Sequence, residues 1–257
     1  MSQKIPLFGG VPYVIPAGSP NPTIESLFTP PDVGLPVGLQ SYYEVNLWWT
    51  QGPDTDSSTG IMDLSAYVTG DLATVKYIYR TEQQFPSRPI QALRNYMMRG
   101  GVTLRAAIET PALPEAFFGY YRRVGGVDEA REHRFIGGTT PVFTAGVPLE
   151  ILPGEKKIFH EFEAGRIDVL SLATMTLPAT AQTILITFEN EAGGVLASWA
   201  QQVVSADPSD GVPGLLDPYS FRDVPFGGGA DSTLDHISIE SLVGNTQPVQ
   251  VYGDFWR

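Results

Sequence analysis

His133, His160 and His236 are the only histidines in the chain, and cysteine is absent. A metal-dependent β-barrel enzyme of the cupin kind draws its ligands from two histidines one residue apart on a strand, then a carboxylate and a third histidine in the same barrel. No two of these histidines stand at that spacing. Without cysteine there are no thiolate ligands, no disulfides and no sulfur nucleophile. Glu161 and Glu163 flank Phe162. Strand alternation would put both carboxylates on one side, in the manner of a glycosidase pair, but on an acidic strand the same spacing is a solvated face. No Gly-x-Ser-x-Gly turn offers a serine nucleophile. Phosphate-binding and dinucleotide fingerprints are missing too, and Gly227-Gly228-Gly229 reads as loop glycine. Two turns gather oxygen ligands suited to a structural calcium ion: Asp54 with Asp56, and Asp207 with Asp210. Neither has the twelve-residue loop with a terminal glutamate, so both read as solvated acidic turns. The sequence thus assembles no catalytic or cofactor-binding set, and the expectation is a protein that is not an enzyme.

Composition points the same way. Of 257 residues, 42% are hydrophobic and only 17% charged, which is low for a solvated domain and implies covered surface. The net charge of −12 is unevenly spread. Residues 1–124 hold nine Lys/Arg and ten Asp/Glu, whereas residues 125–257 hold seven and eighteen. A surface this acidic repels nucleic acid phosphates, so direct DNA or RNA binding is not expected. The N-terminus lacks the basic stretch and apolar core of a secretory leader, and no run of about 18 apolar residues occurs.

The elements that must position these side chains are short and β-rich. Residues 1–40 form a Pro-rich stretch, with Pro at 6, 12, 16, 20, 22, 30, 31 and 36, a density that forbids regular helix. Ile5, Leu7, Phe8, Tyr13, Ile15, Leu27 and Phe28 within it need cover. It reads as an extended arm laid along its own fold or a neighbour, with a short strand at 13–15. Alternation and β-branched content place strands at 42–50, 61–69 and 73–82. Ser87 and Pro89 then open an expected helix with Ile90, Leu93 and Met97 on one face, stopped by Gly100-Gly101. Strands at 102–110 and 115–124 follow, then a linker at 125–138. The second half offers strands at 141–152, 156–163, 167–176, 181–190 and 195–204. A loop rich in Pro, Gly and Asp at 206–229 precedes strands at 234–242 and 247–256.

The two halves look like copies. Residues 61–70 lie beside 167–176 at a shift of 106, and 73–82 beside 181–190 at a shift of 108. Further on, 104–110 matches 235–241 and 117–122 matches 251–256, with Gly119 opposite Gly253, at shifts of 131 to 134. On this alignment the second copy carries about 25 extra residues in its middle. Each copy is a run of antiparallel strands with one long excursion, the pattern of a jelly roll. The expected fold is all-β: an arm (1–40), a first jelly roll (41–124) containing one short helix, a linker (125–138), and a second jelly roll (139–257) with the long loop 206–229.

A tandem of two such barrels behind a Pro-rich arm resembles the double jelly-roll major capsid proteins of tailless, membrane-containing icosahedral bacteriophages, in size the compact corticovirus type. The resemblance is one of architecture over residues 40–257 and rests on no signature motif. It implies a virion protein made in the host cytoplasm. Three subunits would close into a pseudo-hexagonal capsomer and tile a shell with neighbouring capsomers and other virion proteins. It also implies that the arm residues Ile5 to Phe28 serve assembly, tying capsomers together or meeting an internal membrane. The alternative from another class is a carbohydrate-binding β-sandwich module, or a phage decoration or receptor-binding protein, using exposed aromatic rings. The positions of Trp48, Trp49 and Trp256 separate the two.

Overall fold

The computed structural model describes residues 4–19, 23–31, 41–51, 58–69, 71–85, 89–109, 113–124, 133–136, 149–175, 181–203, 219–227 and 233–256. Among these the chain is all-β. The first nine strands are β1 (Ile5–Pro6), β2 (Tyr13–Ile15), β3 (Thr23–Phe28), β4 (Tyr42–Gln51), β5 (Ser58–Val68), β6 (Asp71–Phe85), β7 (Ile90–Arg99), β8 (Val102–Glu109) and β9 (Glu115–Arg123). The next nine are β10 (His133–Ile136), β11 (Leu149–Ile151), β12 (Lys156–Glu161), β13 (Ile167–Met175), β14 (Gln182–Glu189), β15 (Val195–Val203), β16 (Tyr219–Gly227), β17 (His236–Ser241) and β18 (Val249–Trp256). A single 3-10 turn, Leu7–Gly10, is the only helical element among the described residues.

Four antiparallel sheets result, and they come in two matching pairs. One sheet runs β1-β9-β4-β7 with β2 also on β9, and its counterpart runs β10-β18-β13-β16 with β11 also on β18. The others run β3-β8-β5-β6 and β12-β17-β14-β15. Adding nine to every strand number of the first pair gives the second pair. Each pair encloses its own apolar core, as expected of a β-sandwich. The first core is built from inward side chains such as Val45, Leu47, Trp49, Met62, Leu64, Leu104, Ile108 and Phe117. The second uses Leu170, Leu172, Ile184, Ile186, Phe188, Trp199, Ile237, Ile239 and Val251.

The match extends to single residues. Leu47 on β4 faces Gly119 on β9, and Leu172 on β13 faces Gly253 on β18. Both glycines are required by the approach of the neighbouring strand. A Cβ at Gly119 would lie 2.1 Å from the Asn46 carbonyl oxygen, and one at Gly253 would lie 2.8 Å from that of Ser171. Asn46 and Ser171 occupy equivalent positions and perform one task. The Asn46 Oδ1 accepts a hydrogen bond from the Asn95 backbone N–H at 3.0 Å, and the Ser171 Oγ accepts one from the Asp223 N–H at 3.1 Å. Asn95 and Asp223 both adopt left-handed backbone, φ 51° and 52°, a conformation that Asn and Asp enter more readily than other side chains. Each belongs to a bulge. Arg94 and Asn95 together oppose Asn46 between the pairs Val45–Tyr96 and Leu47–Leu93, and Arg222 and Asp223 oppose Ser171 between Leu170–Val224 and Leu172–Phe221.

These findings correct three expectations. The helix expected from Ser87 onward in the first barrel is strand β7, and the loop expected at 206–229 contains its counterpart, strand β16. The spacing of Ile90, Leu93 and Met97 imitates a helix because two register shifts interrupt the alternation: Ala92 is extra between the pairs Trp48–Gln91 and Leu47–Leu93, and the bulge at Arg94-Asn95 follows it. Met97 is in fact half exposed, and it is Met98 that points into the core. Pro225 is accommodated because β16 lies at a sheet edge, where a missing N–H costs no ladder bond. Third, the early blocks of the sequence alignment were one strand out of step. Residues 61–68 belong to β5, whose place in the sheet order matches β14, while 167–175 form β13, which matches β4.

Candidate functional site

Strands β4 and β9 each contain a run that is apolar without alternation: Leu47-Trp48-Trp49 and Ala116-Phe117-Phe118. Such runs mark strands covered on both faces. Leu47, Trp49 and Phe117 fill the first core, and Trp48, Phe118 and Tyr120 point the opposite way, into the second. Phe118 is the centre of this seam. Its ring stacks on Trp199 at 5.2 Å between centroids and meets Phe221 and Phe226 at 5.7 Å each, with Trp48 parallel to it at 6.1 Å. Phe188 continues the cluster, 5.3 Å from Trp199 and 5.0 Å from Phe226. Offset and edge-on ring pairs of this kind add stability beyond the area they bury.

Trp48 and Trp49 are both buried, at 5% and 0% exposure, and Trp199 is fully buried. The Trp49 indole N–H donates to the Glu115 carboxylate inside the first sandwich. Trp256 lies on β18, paired with Val169 and His133. Among the described large hydrophobic side chains that are exposed, Tyr42 is the only aromatic. The double-sided runs in β4 and β9 were the available sequence signal for the seam.

The arm residues take part in the first sandwich itself. Ile5 and Pro6 pair with Tyr121 and Tyr120, Tyr13–Ile15 pairs with β9, and Thr23–Phe28 pairs with β8. Leu7, Ile15, Leu27 and Phe28 are buried in the first core, with Phe8 and Tyr13 packed at its margin and stacked on each other at 5.3 Å. Ile5 is the one arm residue of that set that is exposed. The arm therefore lies along its own fold.

A polar cleft of about 280 Å³ opens beside the seam where the two bulges meet, with Arg94 and Gln91 from β7 on one side and Arg222 and Asp223 from β16 on the other. Its floor is Asn46, which also accepts from the Gln91 amide at 3.1 Å and donates to Glu44 at 3.3 Å. Glu44 is neutralised by Arg122 at 2.7 Å. Lys4 donates to the Asp223 carbonyl oxygen at 3.0 Å and sits 4.6 Å over the Tyr120 ring. Burial, reinforced by the nearby Glu44 carboxylate, pushes the Tyr120 hydroxyl up to about 12, so it stays a neutral donor.

The remaining titratable groups serve structure. Buried His160 bonds Asp168 at 2.8 Å and is wedged against Phe162 and Phe255. His236 bridges Asp235 at 2.8 Å and Glu189 at 3.2 Å. Burial would raise the Glu189 carboxyl, but hydrogen bonds from Lys156 and Ser238, with the Lys156 charge, outweigh it and hold the group below its ordinary value. Glu161 and Glu163 are both exposed, Glu163 paired with Arg166 at 2.9 Å. His133 lies on β10, and Gly227 closes β16 instead of lying in a loop. The candidate calcium turns at Asp54, Asp56, Asp207 and Asp210 lie outside the described residues. Among the described residues no group of three or more His, Asp or Glu side chains is placed to hold a metal ion. No protein-family model matches the chain, and no curated protein shows significant similarity to it.

Proposed function

We propose that the chain is a double jelly-roll capsid subunit that forms trimers and tiles an icosahedral shell, as the architectural resemblance implies. The observation that carries this reading is the nine-strand offset: among the described residues the second half repeats the strand order of the first, down to the bulge and the glycine on the neighbouring strand. Four strands in the order second, ninth, fourth, seventh against four in the order third, eighth, fifth, sixth support a jelly-roll reading of each half. Two such units side by side give one chain a repeated outline, so a ring of three subunits presents six similar units. Six-fold outlines tile a surface. The seam supports the reading as well, since a tile needs its two units held at one fixed relation. In this role the protein acts by self-assembly alone, with other copies and further virion proteins as its partners.

The carbohydrate-binding alternative needs aromatic rings open to solvent, and of the three tryptophans that separate the readings Trp48 and Trp49 are closed off, while the side chain of Trp256 lies outside the described ones. Light scattering on the purified protein at two salt concentrations decides between them. A stable mass near three times 27.9 kDa is expected, followed by shells in electron micrographs. A species that remains monomeric at high concentration would overturn the capsid reading.

A further inference from the structure

Three large apolar side chains stand together on the surface of the first sandwich: Tyr42, Met97 and Val124, at 55%, 50% and 50% exposure. Their strand neighbours Tyr43 and Met98 are buried, so alternation turns Tyr42 and Met97 to the outer face of the sheet. Met97 lies opposite Glu44, one step along from Tyr42. The Val124 N–H donates to the Tyr42 carbonyl oxygen at 2.9 Å, and Val124 follows Tyr120 and Arg122 on the same face. The other end of this face forms the seam. Along it come Trp48 and Phe118, covered by the second sandwich, then the ion pair of Glu44 with Arg122, then the open patch. An apolar patch that continues a buried one marks an interaction surface.

The second sandwich shows what covers such a place. With Leu47 equivalent to Leu172 and Tyr96 to Val224, Tyr42 and Met97 correspond to Ile167 and Pro225. Ile167 is half-buried and Pro225 buried, and strand β1 with the turn Leu7–Gly10 lies along β16 there. Lys4 donates to the Asp223 carbonyl oxygen, and Gly10 packs so closely on Gly227 that a Cβ would strike its carbonyl oxygen. Strand β1 runs beside β9, and its counterpart beside β18 is β10. The first sandwich therefore lays β1 over β16 within one chain, while β7, the counterpart of β16, keeps its outer face open at Met97.

We propose that the patch of Tyr42, Met97 and Val124 is the docking surface for the second sandwich of another copy of this chain, whose β10 lies over β7 as β1 lies over β16. The occupant is a second copy because every chain carries both sides of the contact, the patch on one sandwich and β10 on the other. Such a contact is head to tail, so it repeats from copy to copy and closes into a ring. That the ring has three members rests on the capsid reading; the contact itself does not.

The chain has no cysteine, so single thiols can be placed without background. Full chains carrying Met97→Cys or His133→Cys, the latter at the counterpart of Lys4, are co-expressed and treated with a bismaleimide. A cross-linked pair with one chain of each kind is expected. Links between two Met97→Cys chains, or no links, overturn the proposal. Light scattering over a dilution series then reads the Tyr42→Glu/Met97→Glu variant, in which both substituted side chains are exposed and circular dichroism verifies folding. Association is expected to weaken about tenfold or more, because each contact would bury unpaired carboxylates. Ile158→Glu, at an equally exposed apolar position on β12, leaves it unchanged. An unmodified chain that is monomeric at every concentration overturns this contact together with the capsid reading. Multimers of undiminished strength in the Tyr42→Glu/Met97→Glu variant overturn the contact alone. Mixed cross-links in an assembly of some other number of chains support the contact and count against the trimer.

Discussion

The two sandwiches share one strand order but close their cores by different means. The first is finished by its own leading segment: Leu7, Ile15, Leu27 and Phe28 arrive on β1 to β3 and the turn between them. The second is finished by the first, which sends Trp48, Phe118 and Tyr120 into it from the outer face of a sheet. Dependence therefore runs one way. The first sandwich is complete without the second, but the second has a gap that only the first fills. A repeated topology does not imply interchangeable halves, because what matters for stability is which side chains each half lacks.

The sharpest way to break this comparison is to remove residues 1–31. Loss of four buried core side chains, together with the edge strands on β9 and β8, is expected to abolish folding of the first sandwich, and with it the second. Near-UV circular dichroism reads the result. A truncated chain with a native aromatic spectrum would mean that the arm is an external tie after all.

Next in size is Phe118→Ala, expected to cost about 3–5 kcal/mol by leaving a cavity among Trp199, Phe221 and Phe226. The native chain is expected to unfold in urea in one transition followed by tryptophan fluorescence, and the variant to unfold in two. An unbroken single transition would show that the seam does not couple the halves.

Gly119→Ala and Gly253→Ala compare the equivalent glycines directly. At Gly119 the added carbon meets backbone at 2.1 Å, and at Gly253 its nearest obstacle is the far edge of the Phe159 ring at 2.4 Å. A ring edge can shift and a central strand cannot. Gly253→Ala is expected to cost about 1–3 kcal/mol, in the range of ordinary overpacking, and Gly119→Ala clearly more. Equal losses in urea melts would refute the ordering.

The smallest contrast is in pH. Glu189, in the second sandwich, has its carboxyl held below the ordinary value. It therefore contributes stability that is present above the unfolded-state value near 4.5 and lost as pH falls through the lower folded one. Tyr120, at the seam, is raised to about 12. Its contribution is present below pH 10 and lost as pH climbs from there to 12. Glu189→Gln should flatten the acid limb of a stability profile, and Tyr120→Phe the alkaline limb. If either substitution flattens the opposite limb, the assignment fails.

Much of the architecture was legible because strands with one wet face alternate. Short strands β1 and β3 in the Pro-rich arm and β10 in the expected linker escaped, and so did β7 and β16, which are the same strand in the two halves and escaped for related reasons. Register shifts break the period of two, and in β7 a pair of them, at Ala92 and at Arg94-Asn95, gives helix-like spacing, while Pro225 and Gly227 disguise β16 as loop. Seeing Leu-Arg-Asn-Tyr and Phe-Arg-Asp-Val as one motif would have recovered both strands, and the cleft with them. The seam was visible in part, in the unbroken apolar runs of β4 and β9. What those runs pack against depends on contacts between residues far apart in the chain, such as Phe118 with Trp199, which no local pattern specifies.

The one-way closure has a consequence during synthesis. A ribosome releases β1 to β9 before any of the second half, so the first sandwich can fold while the chain is still being made. For that interval it displays Trp48, Phe118 and Tyr120 as an uncovered aromatic patch. The patch is both a template on which the emerging strands β15 and β16 settle and a surface on which two nascent chains can stick. Slow elongation through residues 124–227 would lengthen that exposure, so the yield of soluble protein should depend on the translation rate across this interval, more than on its rate over the first half.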